Sequence, residues 1–142
     1  MISMNETINN KLISLNRDKI KYYFFNTKNV IKEDLIFTSD SLYSSSKLLG
    51  SKRLIDIIFK HFKKKNLIIT DCTANIGTDA INLAHVFKFV NAVEISELNY
   101  LALDNNINTF NLKNKMKCFH NDINDIIDNL QQDVIYIDAP WG

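Results

Sequence analysis

The sequence predicts one α/β domain built on a parallel sheet, and three observations predict it. Short apolar runs alternate with helical patterns from about residue 50 onward. One junction, Leu67 to Thr78 (LIITDCTANIGT), passes from an apolar run through a loop of small residues into a helical pattern. That is the layout by which an open α/β sheet offers a ligand a loop and a helix N-terminus. Finally, each predicted strand ends in an acid or beside one: Asp71, Glu94, Asp122 and Asp138. In a parallel sheet those four acids share the carboxyl edge, where ligands bind.

The elements follow in order. Residues 1–20 are polar with scattered Ile and Leu, and a helix is expected from Ile8 to Leu15. Residues 21–43 carry Tyr22, Tyr23, Phe24, Phe25, Phe37 and Tyr43 interleaved with lysines 19, 21, 28 and 32. Such a segment can stack a base and hold phosphates, or pack on the sheet as a hydrophobic subdomain; the two roles are compatible. Residues 1–45 are therefore expected to form a basic, aromatic extension that contributes to the substrate site, with 46–142 as the core. Ser44, Ser45 and Ser46 offer helix caps, and Ser51 is expected to cap a helix with Leu54, Ile55, Ile58 and Phe62 on one face. Leu67–Asp71 is the first core strand. Gly77–Phe87 follows as a helix with Ala80, Ile81, Ala84 and Phe87 inward. Phe89–Glu94 is the second strand. Ser96 caps a helix whose inward face is Tyr100, Leu103, Ile107 and Phe110. Lys115–His120 is the third strand, Ile123 to Leu130 a short helix, and Asp133–Asp138 a fourth, buried strand.

Composition narrows the function. A hydrophobic fraction of 46% in 142 residues supports a core. No run of 18 apolar residues and no signal-peptide pattern occurs, so an intracellular protein of cytoplasm or nucleus is expected, with no membrane partner. Cys72 and Cys118 read as buried free thiols, and the three histidines lack ligand spacing, so no metal is expected. The net charge of +1 conceals an asymmetry: residues 1–66 hold 13 Lys/Arg against 6 acids, and residues 67–142 hold 4 against 10. A basic half joined to an acidic half points to a polyanionic partner at one end.

The loop itself selects the ligand class. Gly77 alone is a poor match to the pyrophosphate fingerprint, which needs several glycines, and this disfavours a nicotinamide dinucleotide. Glu94 lies about 20 residues beyond the loop, where an acid accepts from ribose hydroxyls. A ligand with ribose and adenine but no pyrophosphate fits better.

Asp71-Cys-Thr-Ala-Asn-Ile-Gly77, Glu94, Asp122 and Asp138-Ala-Pro-Trp141 together resemble the motifs of class I S-adenosylmethionine-dependent methyltransferases, a Rossmann-like fold. Asp138-Ala139-Pro140-Trp141-Gly142 is similar to the Ser-Pro-Pro-Trp-Gly-Gly motif of trimethylguanosine synthases, the RNA cap guanine-N2 methyltransferases. The resemblance covers about residues 67–142 and is weaker over 21–66. It implies S-adenosyl-L-methionine as cofactor and the exocyclic amine of a 7-methylguanosine RNA cap as substrate. It further implies that Asp71, Thr73, Ala74, Asn75, Gly77 and Thr78 hold the methionine end, and that Phe37-Thr38-Ser39 closes over it. Glu94, with Ile95 beside it, would take the ribose and Asp122 the adenine amine. Asp138 and a carbonyl of Ala139 or Pro140 would accept from the substrate amine, and Trp141 would stack on the cationic base.

Thr78 stands where the family has a second Gly, and Ala139 replaces the first Pro, which loses a fixed φ. Four strands are legible where the family's sheet has seven, so a fragment or interrupted reading frame is expected. Two alternatives remain beside the cap: an amino-methyltransferase for another RNA or DNA base, and a non-catalytic cofactor- or RNA-binding remnant. A dehydrogenase is a distant third.

Overall fold

A computed structural model describes residues 10–138. In chain order the elements are β1 (Leu12–Ile13), β2 (Phe37–Thr38), α1 (Ser41–Ser44), α2 (Leu48–Phe62), β3 (Ile68–Asp71), α3 (Thr78–Ala84), β4 (Phe89–Glu94), α4 (Glu97–Thr109), β5 (Met116–His120), α5 (Ile123–Ile126) and β6 (Val134–Tyr136). Short 3₁₀ turns lie at Arg17–Tyr22, Lys32–Asp34 and Ile127–Asn129.

The main sheet has the order β5-β4-β3-β6 and is parallel throughout. The chain moves outward from β3 to β4 and β5, then returns across β3 to β6. That reversal puts a topological switch point between β3 and β6, beside the carboxyl end of β3, the position at which open α/β sheets bind ligands. Ile69, Val90, Ala92 and Met116 bury the sheet against Ile81, Leu83 and Leu103 of the helices. Gly77 fixes the turn into α3 at φ 103°, and a Cβ there would meet Leu103 Cδ1 at 2.9 Å and Ile81 Cδ1 at 3.0 Å. It is needed for a left-handed backbone pressed against two core side chains.

The aromatic segment packs into this same core. Tyr23, Phe24 and Phe37 are buried, and Phe24 meets Phe110 at 5.0 Å between ring centroids. Asn106 of α4 holds the segment in place. Its Nδ2 donates to the carbonyls of Ile36 and Ile76, and its Oδ1 accepts from the Ile36 N–H. The subdomain reading of residues 21–43 holds for Tyr23, Phe24 and Phe37, while Tyr22 and Tyr43 stay exposed.

Four expectations change. The helix from Ile8 to Leu15 is absent from its described part. Residues 12–13 instead pair antiparallel with residues 37–38, because Lys11 and Ser39 exchange backbone and hydroxyl hydrogen bonds that extend this short ladder. Ser51 is not a cap: α2 begins three residues earlier, and the Ser51 hydroxyl is spent on Asp79. α3 ends at Ala84 rather than Phe87, since the amides of Val86 and Phe87 both turn back to Leu83. β6 is not buried. It is the outer strand, and Ile135 and Ile137 are 53% and 62% exposed because no helix or further strand covers that face among the described residues. Ser96 caps α4 as expected, accepting from the Asn99 N–H.

Candidate active site

The loop after β3 is laid across the ends of three strands. The Cys72 N–H donates to the Tyr136 carbonyl of β6, the Ala74 N–H to the Val93 carbonyl of β4, and the Asn75 N–H to Glu94 Oε1. Asn75 sits at φ 56°, a left-handed conformation that Asn tolerates better than most residues. Its side chain turns to Ser44, donating from Nδ2 to the hydroxyl.

These contacts open a cleft of about 680 Å³ between the loop and residues 40–46. Such a volume suits a cofactor-sized ligand. Of the sequence-predicted residues, Thr73, Ala74, Asn75, Thr78, Glu94, Ile95 and Asp138 line it. Gly77 does not; it supports the loop from below. Asp71 is buried beneath the floor at 1% exposure. Thr38 is fully buried, its hydroxyl donating to Asn99 Oδ1 and its amide to the Ser41 hydroxyl. Asp122 caps α5 by accepting from the Asn124 N–H, outside the cleft lining. Ala139, Pro140, Trp141 and Gly142 lie outside the described residues.

Two wall atoms are orphaned. Asn75 Oδ1 and Ser45 Oγ are buried without a hydrogen-bond partner among the described residues, and both residues line the cleft. Buried polar atoms normally find partners, so these two are the unsatisfied groups of the wall.

Glu94 is 8% exposed and accepts the Asn75 N–H on Oε1 and the Ser96 N–H on Oε2. Burial raises its carboxyl above the usual carboxylate range, and these amides partly offset that. A carboxylate has about four acceptor sites, so some capacity remains for a ligand. Asp71 accepts the Thr73 N–H on Oδ1 and leaves Oδ2 unpartnered. Burial, then Asp79, holds its carboxyl well above the ordinary value. Asp138 is tied to the loop, its N–H donating to Thr73 Oγ1 at 2.8 Å. Its carboxyl is also raised, by burial first and by Asp79 second.

Asp79 is the residue that sequence reasoning missed. Its Oδ2 accepts from the Ser46 hydroxyl at 2.6 Å and the Tyr136 hydroxyl at 3.0 Å, and its Oδ1 from the Ser51 hydroxyl at 2.6 Å. One carboxylate thus joins the cleft wall, α2 and β6. Burial and Asp79 push the Tyr136 phenol far above its ordinary range, which keeps it a donor.

Residues 66–142, just over half of the chain, match the RNA cap guanine-N2 methyltransferase family. The chain belongs to that family. An uncharacterized protein of Acanthamoeba polyphaga mimivirus, L320, is 39% identical to this chain over 83 residues, 56% of this chain and 32% of the viral protein. The chain therefore spans about a third of the length of the curated relative it matches. Among solved structures, the tRNA m1G37 methyltransferase of Methanocaldococcus jannaschii aligns with a TM-score of 0.57 at 20% identity, covering 75% of this chain and 33% of that one. Trm5 of the same organism in complex with adenosine aligns with a TM-score of 0.57 at 20% identity, over 75% and 32%. At such identities the likeness shows the fold: this methyltransferase-family chain has the parallel α/β sheet of those enzymes.

Proposed function

We propose that the protein transfers a methyl group from S-adenosyl-L-methionine to the exocyclic amine of guanine in a 7-methylguanosine RNA cap. The observation that carries the proposal is the tether between Asp138 and Thr73. It sets the first residue of the Asp-Ala-Pro-Trp segment directly against the cofactor loop, in a chain whose family acts on cap guanine.

The residues present fit the cofactor. Glu94 lines the cleft and keeps acceptor capacity for ribose hydroxyls. Asp40, Asp79, Glu94 and Asp138 give the lining an acidic character that suits a cationic ligand. The adenosine bound by the Methanocaldococcus jannaschii enzyme is the corresponding part of such a ligand. When bound, the cofactor supplies an electrophilic sulfonium methyl, so the protein's task is chiefly positioning.

The guanine amine is a poor nucleophile because its lone pair is delocalised into the ring. Asp138 would accept from one amine hydrogen and localise that pair on nitrogen. Its raised carboxyl makes it a better proton acceptor than an ordinary aspartate once the nitrogen gains its bond to carbon. Trp141 would stack on the methylated, positively charged base. Thr73 positions Asp138 through its backbone amide, which leaves the carboxylate available to the substrate.

Two substitutions test this by calorimetry with the cofactor and by radiolabel transfer to 7-methylguanosine-capped RNA. Glu94→Gln should weaken cofactor binding about 10- to 100-fold, the worth of a hydrogen bond to a charged acceptor. Asp138→Asn should bind cofactor within about threefold of wild type yet lose roughly 100-fold or more in transfer. Normal transfer by Asp138→Asn, or preferred transfer to an uncapped or adenine-bearing oligonucleotide, overturns the proposal.

A further inference from the structure

A second hollow of about 380 Å³ lies beside the cleft, lined by Lys21, Tyr22, Lys47, Leu48, Leu49 and Lys52. Its charge is opposite to that of the cleft. Lys21, Lys47 and Lys52 are exposed, and the ion pair recorded among the described residues is Arg17–Glu33, so none of the three lysines has a carboxylate within salt-bridge distance there. Asp18 and Asp56, the acids adjacent in sequence, do not line it. Three lysines without a carboxylate partner around one hollow give it a positive character that suits an anionic guest.

Two of the lysines are held in place by aromatic rings. Lys47 Nζ donates to the Tyr23 hydroxyl at 2.5 Å and lies 4.1 Å from the centre of the Tyr23 ring. Lys21 Nζ lies 5.4 Å from the centre of the Tyr22 ring, which is 57% exposed. The uncapped start of α2 opens at the same place, since Lys47 as N-cap offers no side-chain acceptor. The hollow therefore combines cations with an exposed aromatic ring, the pair of features that binds a single strand by phosphate contact and base stacking.

Position supplies the rest. Ser46 lines the cleft and Lys47, the next residue, lines the hollow. The two sites therefore meet at the Ser46–Lys47 peptide. We infer that the hollow holds the backbone of single-stranded RNA immediately beyond the base bound in the cleft, with phosphates on Lys21, Lys47 and Lys52 and one base on Tyr22. This rests on the reading that the substrate is RNA. The acidic cleft repels phosphodiesters, so a strand leaving it is drawn across the Ser46–Lys47 wall onto the basic side.

The test measures anisotropy of a labelled, uncapped single-stranded RNA on the full chain as potassium chloride rises from about 50 to 200 mM. Each phosphate contact contributes about 0.7 to the salt slope of a single strand. Lys21→Ala/Lys52→Ala should lower that slope by about 1.4 and the affinity by about tenfold. Tyr22→Ala should lose about fivefold or more in affinity with the slope unchanged. Lys64→Ala/Lys65→Ala removes the same charge beyond the far end of α2, roughly 20 Å away, and should leave the slope as in wild type. Cofactor affinity by calorimetry should stay within about twofold in every variant, since none of these residues lines the cleft.

A wild-type slope in Lys21→Ala/Lys52→Ala, or an equal loss in Lys64→Ala/Lys65→Ala, overturns the inference and leaves the methyltransferase reading standing. Wild-type protein that binds cofactor and anionic lipid vesicles but no RNA overturns both the inference and the RNA substrate.

Discussion

Asp71 sits under the loop that follows β3, with Oδ1 occupied by the Thr73 amide and Oδ2 partnerless among the described residues. Folding therefore favours its neutral form, and burial followed by Asp79 raises its carboxyl. The linkage has a definite sign. Stability from this group is fully present below the ordinary value of 3.8 and is lost as pH rises through the raised folded value. Asp71→Asn stays neutral throughout, so its melting temperature relative to wild type should climb as pH rises above 3.8. Circular dichroism melts across that range check it, and a flat difference would mean that Asp71 ionises in the fold without penalty. At this scale Glu94 was legible, because an acid that ends a strand some 20 residues past such a loop has one obvious place to stand. Asp71 was legible as a position and not as a chemistry: nothing in Asp-Cys-Thr says that one of its oxygens will be sealed in.

The link between α2, α3 and β6 runs through Asp79. Ser51 and Tyr136 reach it from 28 and 57 residues away, and Ser46 brings the cleft wall to the same carboxylate. Hydrogen bonds to a charged acceptor are worth about 1.5–3 kcal/mol each. Asp79→Ala should lower stability by about 3–5 kcal/mol and Tyr136→Phe by about 1–2 kcal/mol. Adding Tyr136→Phe to Asp79→Ala should add little, because the hydroxyl has already lost its acceptor. Urea denaturation of the single and double variants decides it, and additive losses would place the Tyr136 hydroxyl elsewhere. Sequence alone gives Asp79 as an acid in the first turn of a helix, where it would serve the dipole. Its true partners are remote, and so the sequence alone presents Ser51 as a cap when it is a buried donor. The strands and α4 were legible because apolar period and the Ser96 cap are local signals. The start of α2 was not, because Lys47 carries no capping side chain.

At the scale of the molecule, β6 is an outer strand of the sheet with no further strand beside it among the described residues, and Ile135 and Ile137 are exposed. An exposed apolar strand is a template for pairing with another chain. The 142-residue chain should therefore associate as its concentration rises from about 10 to 200 μM, and Ile135→Lys should suppress this, as seen by light scattering. Equal scattering from both would show that the edge is innocuous. The parallel order around the switch point was legible, since alternating strands and helices permit few topologies. The exposure of β6 was not: an apolar run reads the same whether its neighbour is present or absent. The basic hollow was half legible, as a charge excess without a location.

Asn106 carries a consequence for how the chain acquires this shape. Its amide reaches Ile36, 70 residues back, and Ile76, 30 residues back. Closing a loop of that length is entropically slower than closing the local β3-α3-β4-α4 turns. The order of assembly expected on this ground is the central strands and α4 first and the aromatic segment afterwards, and pulsed hydrogen exchange checks it by later protection of the Ile36 amide than of the β3 and β4 amides. The cleft is then the last feature to exist. Its floor belongs to the early nucleus and its wall, through Ser44 and Ser46, to the late segment, so a half-folded chain would own every motif residue and still have nowhere to seat a ligand.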